Sequence, residues 1–384
     1  MVPYEHASTW RAQFALEPGL AFLNHGSFGA VPLGVRAAQD ALRDELERDP
    51  VAMFEGLAPR MAAARARVAE ALGTAAERLA FVDNATTGVA AALRATPLRA
   101  GDRVVITDHT YGAVRLALRD ACAAAGATLE VVAVPFPIED PSIVLDAVLP
   151  RIPGARLVLI DAITSPTGLR LPFEQVVAAA RAAGVAVIVD GAHAPMHLAL
   201  DLDALDADFF TGNLHKWAFA PRGTAVLRVS DRRRHDARPL VTSWEIDQGF
   251  PASFDFSGTR DPSAWLAAPA GLDFAARIGG DALRAHNDRL CAEMASSLSS
   301  AWGVAIPSPA SMRAHLATLP LPRRPPAEAA AAIHRALRRR GVQVPCVPFG
   351  ERAWIRVSAQ VYVSRADVER LERAVPDVLD ELGL

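Results

Sequence analysis

Lysine is nearly missing from this chain of 384 residues: of its 40 basic residues a single one, Lys216, is lysine and the rest are arginine. A guanidinium replaces an ammonium wherever only positive charge is wanted, but it does not deprotonate and cannot condense with a carbonyl compound. The surviving amine is therefore the candidate nucleophile; the plain alternative is a lysine that merely escaped the drift towards arginine. Cysteine is scarce too. Cys122, Cys291 and Cys346 are odd in number, far apart and outside any Cys-x-x-Cys arrangement, so neither a disulfide framework nor a zinc site is indicated, and a reducing compartment fits. No run of about 18 apolar residues is free of charge, and the opening Met1-Val2-Pro3-Tyr4-Glu5-His6 has no basic region followed by an apolar one. No membrane span or secretory leader is expected, and the location expected is cytoplasmic. An excess of one charge sign is also lacking: a formal net charge of -3 and a pI near 6.4 give no electrostatic case for nucleic acid or an anionic membrane. The arginine runs 232–234 and 338–340 are short and read as solvated faces.

What is present is an ordinary globular composition, 51% hydrophobic and 22% charged, in a chain long enough for two cores. Short β-rich runs at 79–82, 103–107, 129–135, 155–160 and 185–189 alternate with Ala/Leu/Arg helices closed by glycine, the rhythm of an α/β fold with a mainly parallel sheet covered on both faces. Helical patterns precede them over 33–47 and about 60–72, after a loop-like Asn24-His25-Gly26-Ser27-Phe28-Gly29. The expected division is an amino-terminal arm over 1–20, a large domain over 21–255 and a smaller α+β domain over 256–384. His193 and His197 have a metal-like spacing, but Pro195 lies between them and no third ligand is evident, so no metal is expected.

Ligands of such sheets gather at the carboxyl ends of the strands, where this sequence puts Asp83-Asn84-Ala85-Thr86-Thr87, Asp108-His109-Thr110-Tyr111, Ser165-Pro166-Thr167-Gly168 and Asp190-Gly191-Ala192-His193. Asp190 ends an apolar strand 26 residues before Lys216, as a buried counter-ion or as a turn residue. Asn84 to Gly88 opens a helix, which suits either an anion or a simple N-cap.

In their order these motifs closely resemble the class V aminotransferase group of fold type I pyridoxal-phosphate enzymes. Leu23-Asn24-His25-Gly26-Ser27-Phe28-Gly29 and Arg356-Val357-Ser358-Ala359-Gln360-Val361-Tyr362 resemble the isopenicillin N epimerase-like branch. The resemblance runs from about Phe22 to Leu371. It implies pyridoxal 5'-phosphate held as an imine on Lys216, Asp190 against the pyridine nitrogen, Tyr111 stacked on the ring and able to act as acid or base, and His193 near the phenolic oxygen. Ser165 stands where relatives have Asn. Ala85, Thr86 and His215 would contact the phosphate, with Thr259 contributed by a neighbouring subunit, so a homodimer is implied. Arg356 would bind the carboxylate of a small amino-acid-type substrate, and Asn24 and His25 would line its entrance. Cysteine desulfurases, by contrast, carry a mobile cysteine in the stretch matching 308–322; none is present here, which disfavours persulfide chemistry. Epimerisation is the leading reaction. C-S lysis or another β-elimination and transamination are the alternatives, and a non-catalytic homologue is the contrasting class.

Overall fold

The computed structural model describes residues 6–384; the first five residues of the expected arm lie outside the described residues. The strands are β1 (Ala21–Phe22), β2 (Leu79–Val82), β3 (Arg103–Thr107), β4 (Thr128–Val132), β5 (Leu157–Asp161), β6 (Ala186–Asp190), β7 (Phe209–Asn213), β8 (Ala225–Val229), β9 (Leu316–Pro320), β10 (Val342–Gln343), β11 (Cys346–Phe349) and β12 (Arg352–Ser358). Seven of them form one sheet in the order β2-β8-β7-β6-β5-β3-β4. Within it β8 runs antiparallel to β2 and β7, and the remaining pairs are parallel.

The central strands are apolar on both faces because both faces are covered. Val158, Ile160, Val187 and Val189 join one core with Val68, Leu72 and Trp265. Their chain neighbours Leu157, Leu159, Ala186 and Ile188 join the other with Val89, Val114 and Leu118. The period-two alternation of a strand thus divides one sequence between two helical layers.

A smaller antiparallel sheet, β11-β12-β9, carries the helices Asp281–Trp302, Ala330–Arg339 and Arg365–Leu382. Its core includes residues from the other end of the chain, Phe14, Leu23, Ala30 and Val35. Backbone pairing agrees, since β1 lies parallel to β10. Residues 263–278 connect the two bodies: Trp265, Ala268 and Leu272 pack under the large sheet, and Phe274 and Ala275 pack in the smaller core.

Two corrections concern the site. The segment Asn24–Gly29, expected as a loop, contains a helical turn over His25–Phe28. Strands β7 and β8 were absent from the sequence reading. Gly212 and Asn213 in β7 and the buried Arg228 in β8 weaken a β signal, and Arg228 is accommodated because its guanidinium donates to Ala207 O at 2.7 Å and Asp203 at 3.0 Å. No helix among the described residues is long and apolar enough to cross a membrane.

Candidate active site

The parallel strands end on a common side, and their carboxyl ends surround a cavity of about 490 Å³. Ala85, Thr86, Tyr111, Ser165, Asp190, His193, His215 and Lys216 all line it, with Ser27, Asn84, Asp161 and Asn213 among their neighbours. One rim is the start of the helix Ala85–Arg94. Asn84 caps it by accepting from Thr87 N–H at 2.9 Å, and Asn213, at the end of β7, accepts from Ala85 N–H at 2.8 Å. Ala85 N–H is thus already engaged within the protein, which leaves Thr86 and the positive end of the helix facing the cavity. His215 stands on the same rim. Its Nδ1–H donates to Thr224 O at 3.0 Å, leaving Nε2 for the cavity, and burial, reinforced by Lys216, depresses its pKa to about 4.

Lys216 follows β7 by a short turn. Burial first, then the charge of Arg356, lowers its pKa to about 7 against the opposing pull of Asp190. Its Nζ lies 3.2 Å from His193 Nε2. The indole N–H of Trp217 points at His193 Nδ1 over 3.4 Å. An indole nitrogen only donates, so the assigned neutral tautomer of His193 carries its proton on Nε2 and offers it to an uncharged Lys216 amine. Burial and the nearby cations hold the His193 pKa well below its usual value, in keeping with a neutral ring. Across the floor, Asp190 accepts from Ala192 N–H at 3.0 Å, and burial raises its pKa.

Arg356, on β12, lies behind the cavity wall formed by Ser27 and Ser165. It donates to Ser27 Oγ at 3.1 Å, to Ser165 Oγ at 3.3 Å and to Ser165 O, and its Nε has no partner. The side chain is buried without an ion pair among the described residues, and burial lowers its pKa to about 10. A buried guanidinium with only neutral partners is an incomplete anion site, suited to a carboxylate. Tyr111 stands immediately before the helix Gly112–Ala125 without capping it and is 45% exposed, so its ring can meet a ligand. The loop before it is fixed by His109, bonded to Thr167 Oγ1 at 2.7 Å and Val134 O at 3.0 Å.

Two residues expected at this chain's own site lie elsewhere. His25 does not line the entrance: it is fully buried, with Nε2 2.9 Å from Lys216 O and Nδ1 2.8 Å from the Tyr362 hydroxyl. Ala30 N–H also donates to Nδ1 at 3.3 Å, so His25 is assigned as the Nε2–H tautomer, donating to the peptide of Lys216. Asn24 is buried beside it with Oδ1 unpartnered and is also outside the cavity lining. Thr259, expected to serve a neighbouring subunit, is exposed and outside this chain's cavity lining. The sequence reading gave no role to Asp161, Asn213 or Tyr362. Asp161 had a visible signal, since it ends its strand as Asp190 does; the other two depend on contacts distant in sequence.

The residues fit a phosphorylated pyridine aldehyde. The positive end of a helix, with Thr86 facing the cavity, suits the phosphate, a buried carboxylate suits the ring nitrogen, and an amine with depressed pKa suits the aldehyde. Among the described residues no group of His, Cys, Asp or Glu is arranged to hold a metal ion.

Comparison with known proteins agrees with this geometry. The model of the family "Aminotransferase class-V" matches residues 51–371. The chain is 30% identical to isopenicillin N epimerase of Streptomyces clavuligerus, over 97% of both chains. It is 33% identical to the putative L-cysteine desulfhydrase 1 of Oryza sativa subsp. japonica, over 82% of this chain and 70% of that protein. In fold it resembles a cysteine desulfurase from Thermococcus onnurineus NA1, with a TM-score of 0.81, 19% identity, and 97% and 98% of the two chains covered. A mainly parallel seven-stranded sheet, a cavity at its strand ends built for a phosphorylated aldehyde, and a family match over most of the chain converge: this protein belongs to the class V aminotransferase family, as an enzyme that uses pyridoxal 5'-phosphate.

Proposed function

We propose that this enzyme takes and returns a proton at the Cα of an amino-acid-type substrate, with epimerisation as its reaction. The observation that carries the proposal is the 3.2 Å approach of Lys216 Nζ and His193 Nε2 beside Asp190, in a pocket that holds the amine near neutrality. When bound, pyridoxal phosphate supplies an aldehyde that condenses with amines and a ring that withdraws electrons from Cα. Asp190 keeps negative charge at the ring nitrogen. Thr86 and His215 receive the phosphate. Arg356 binds the substrate carboxylate and so fixes which Cα bond faces Lys216, whose Nζ takes the proton. Tyr111, exposed at the cavity mouth, is the second acid that returns a proton from its own side.

Epimerisation is supported by the full-length likeness to isopenicillin N epimerase. A second reading, C-S lysis by β-elimination, draws support from the desulfhydrase relatives; it uses the same residues, with the proton delivered to a leaving group. Transamination would use them too. Persulfide chemistry is disfavoured, because Cys346 lies in β11 with its thiol pKa pushed up to about 12 by burial. The exposed Thr259 fits a role in a second copy's phosphate site, so a homodimer is part of the proposal, and the three free thiols suit the cytoplasm.

Incubating the purified enzyme with isopenicillin N, L-cysteine and a panel of L-amino acids in deuterated water tests this. Deuterium at Cα with inversion is expected for the true substrate. Release of sulfide and pyruvate would replace epimerisation by lysis, and no exchange with any substrate by an enzyme that has taken up cofactor would end the proposal.

A further inference from the structure

Two carboxyl groups, not one, stand at the floor of the cavity. Asp161 ends β5 and Asp190 ends β6, and they are register partners on adjacent parallel strands, a placement that sets their side chains on one face about 5 Å apart. Both are 2% exposed and both line the cavity. The charged and titratable groups facing them there are Lys216 and His193 from beyond β6 and β7, His215 on the rim, and Tyr111 from the loop after β3. Lys216 is the only lysine or arginine among these lining residues, and Arg356 lies behind Ser165.

The two carboxyls are not equivalent. Asp190 receives the backbone N–H of Ala192 and feels Lys216. Asp161 Oδ2 is buried and makes no hydrogen bond, and the Thr110 hydroxyl approaches the same carboxyl without completing one. Two anions side by side in a dry site repel strongly enough that one retains its proton. Resting on the cofactor assignment above, we propose that Asp161 is a second cofactor-binding carboxyl, that it keeps its proton beside an ionised Asp190, and that the pair presents one negative charge, not two, to the pyridine nitrogen.

The balance of local forces agrees. Burial first, and then the charge of Asp190, raises the Asp161 pKa well above the carboxylate range, while approach of the Thr110 hydroxyl and the Tyr111 backbone N–H opposes this only in part.

The test uses the full chain stripped of cofactor, with Asp161→Asn and Asp161→Ala. Asparagine keeps a neutral donor and an acceptor at the position; alanine removes both. Titration with pyridoxal phosphate should give an Asp161→Asn dissociation constant within about threefold of the parent, and one weakened about tenfold or more for Asp161→Ala. Equal weakening by both would mean that a negative charge is needed, and no weakening by either would mean no contact; each overturns the proposal. Infrared difference spectra of the cofactor-free parent minus Asp161→Asn at neutral pH supply a second readout. A protonated-carboxyl C=O band is expected, and only ionised carboxylate bands would refute it. Failure of the parent to take up cofactor would instead defeat the cofactor assignment, and the infrared result would still decide the state of Asp161.

Discussion

Lys216 is a base whose protonation is governed by its surroundings rather than by its chemistry as an alkylamine. Burial and the Arg356 charge bring its pKa from 10.5 to about 7. The rate at which cofactor-free protein captures pyridoxal phosphate should therefore rise with pH through about 7 and level off above it. A rate still climbing beyond pH 9 would show that the amine is solvated. At this scale the sequence was informative where chemistry restricts the choice of side chain: a sole lysine, and aspartate or histidine at the ends of apolar strands, which a parallel sheet collects on one side. It was uninformative where the role depends on a distant partner. Nothing near His25 in the chain indicates that its ring is enclosed by Tyr362, Trp217 and Phe219, so an internal ring was read as an entrance residue. Asp161 is a different case. It has the same local signature as Asp190, but a template with one carboxylate draws the eye to one.

Among the elements, the turn His25–Phe28 and the glycine after it form a wedge against the peptide that bears Lys216. Gly29 has φ +69°, and a Cβ there would lie 2.0 Å from His215 O and 3.1 Å from Lys216 O. Gly19 shares the positive φ, +73°, but has nothing within 4 Å of the same added atom. Both alanine variants incur a positive-φ penalty of about 1 to 3 kcal/mol, and at Gly29, with ψ 161°, the backbone lies in a region essentially confined to glycine. Gly29→Ala should lose about 2 kcal/mol more, from the steric conflict with main chain that cannot rotate aside, and should take up cofactor poorly. Urea unfolding of the two variants measures the difference; similar losses would show that the wedge is not tight. The strands over 79–82 and 103–107 could be read directly because their apolar, β-branched runs have sharp borders, and they coincide with β2 and β3. The run read over 129–135 ends instead at Val132, since Pro135 and Pro137 cannot continue the ladder hydrogen bonds. Pairing order, including the antiparallel β8 between β2 and β7, is a property of the assembled sheet and has no local signature.

For the whole molecule, the buried histidines dominate the response to acid. His25, His193, His197 and His315 are all held below the ordinary histidine pKa, chiefly by burial. Below about pH 6.5 the unfolded chain takes up protons that these folded rings refuse, so their contribution is complete above that pH and is lost as pH falls. Asp161 and Asp190, with raised pKa values, act in the opposite sense. His215 and His109 are held below the ordinary histidine value too, so the histidines outnumber the raised carboxyls and stability falls as the pH drops from about 6.5 to 5. Urea midpoints of the cofactor-free protein should fall clearly from pH 7.5 to pH 5.5, and an unchanged or higher midpoint at pH 5.5 would contradict the assignment of neutral rings.

The link from Tyr362 through His25 to the Lys216 carbonyl spans 337 positions of the chain between its first two members. Contacts so far apart in sequence form late, after the large loops between them have closed. On the ribosome, the strand ends, Lys216 and Asp190 all emerge before Tyr362, while His25 has waited since the beginning. A product cut short between Lys216 and Tyr362 therefore keeps the amine and the histidine that holds its peptide, but lacks the hydroxyl that orients that histidine.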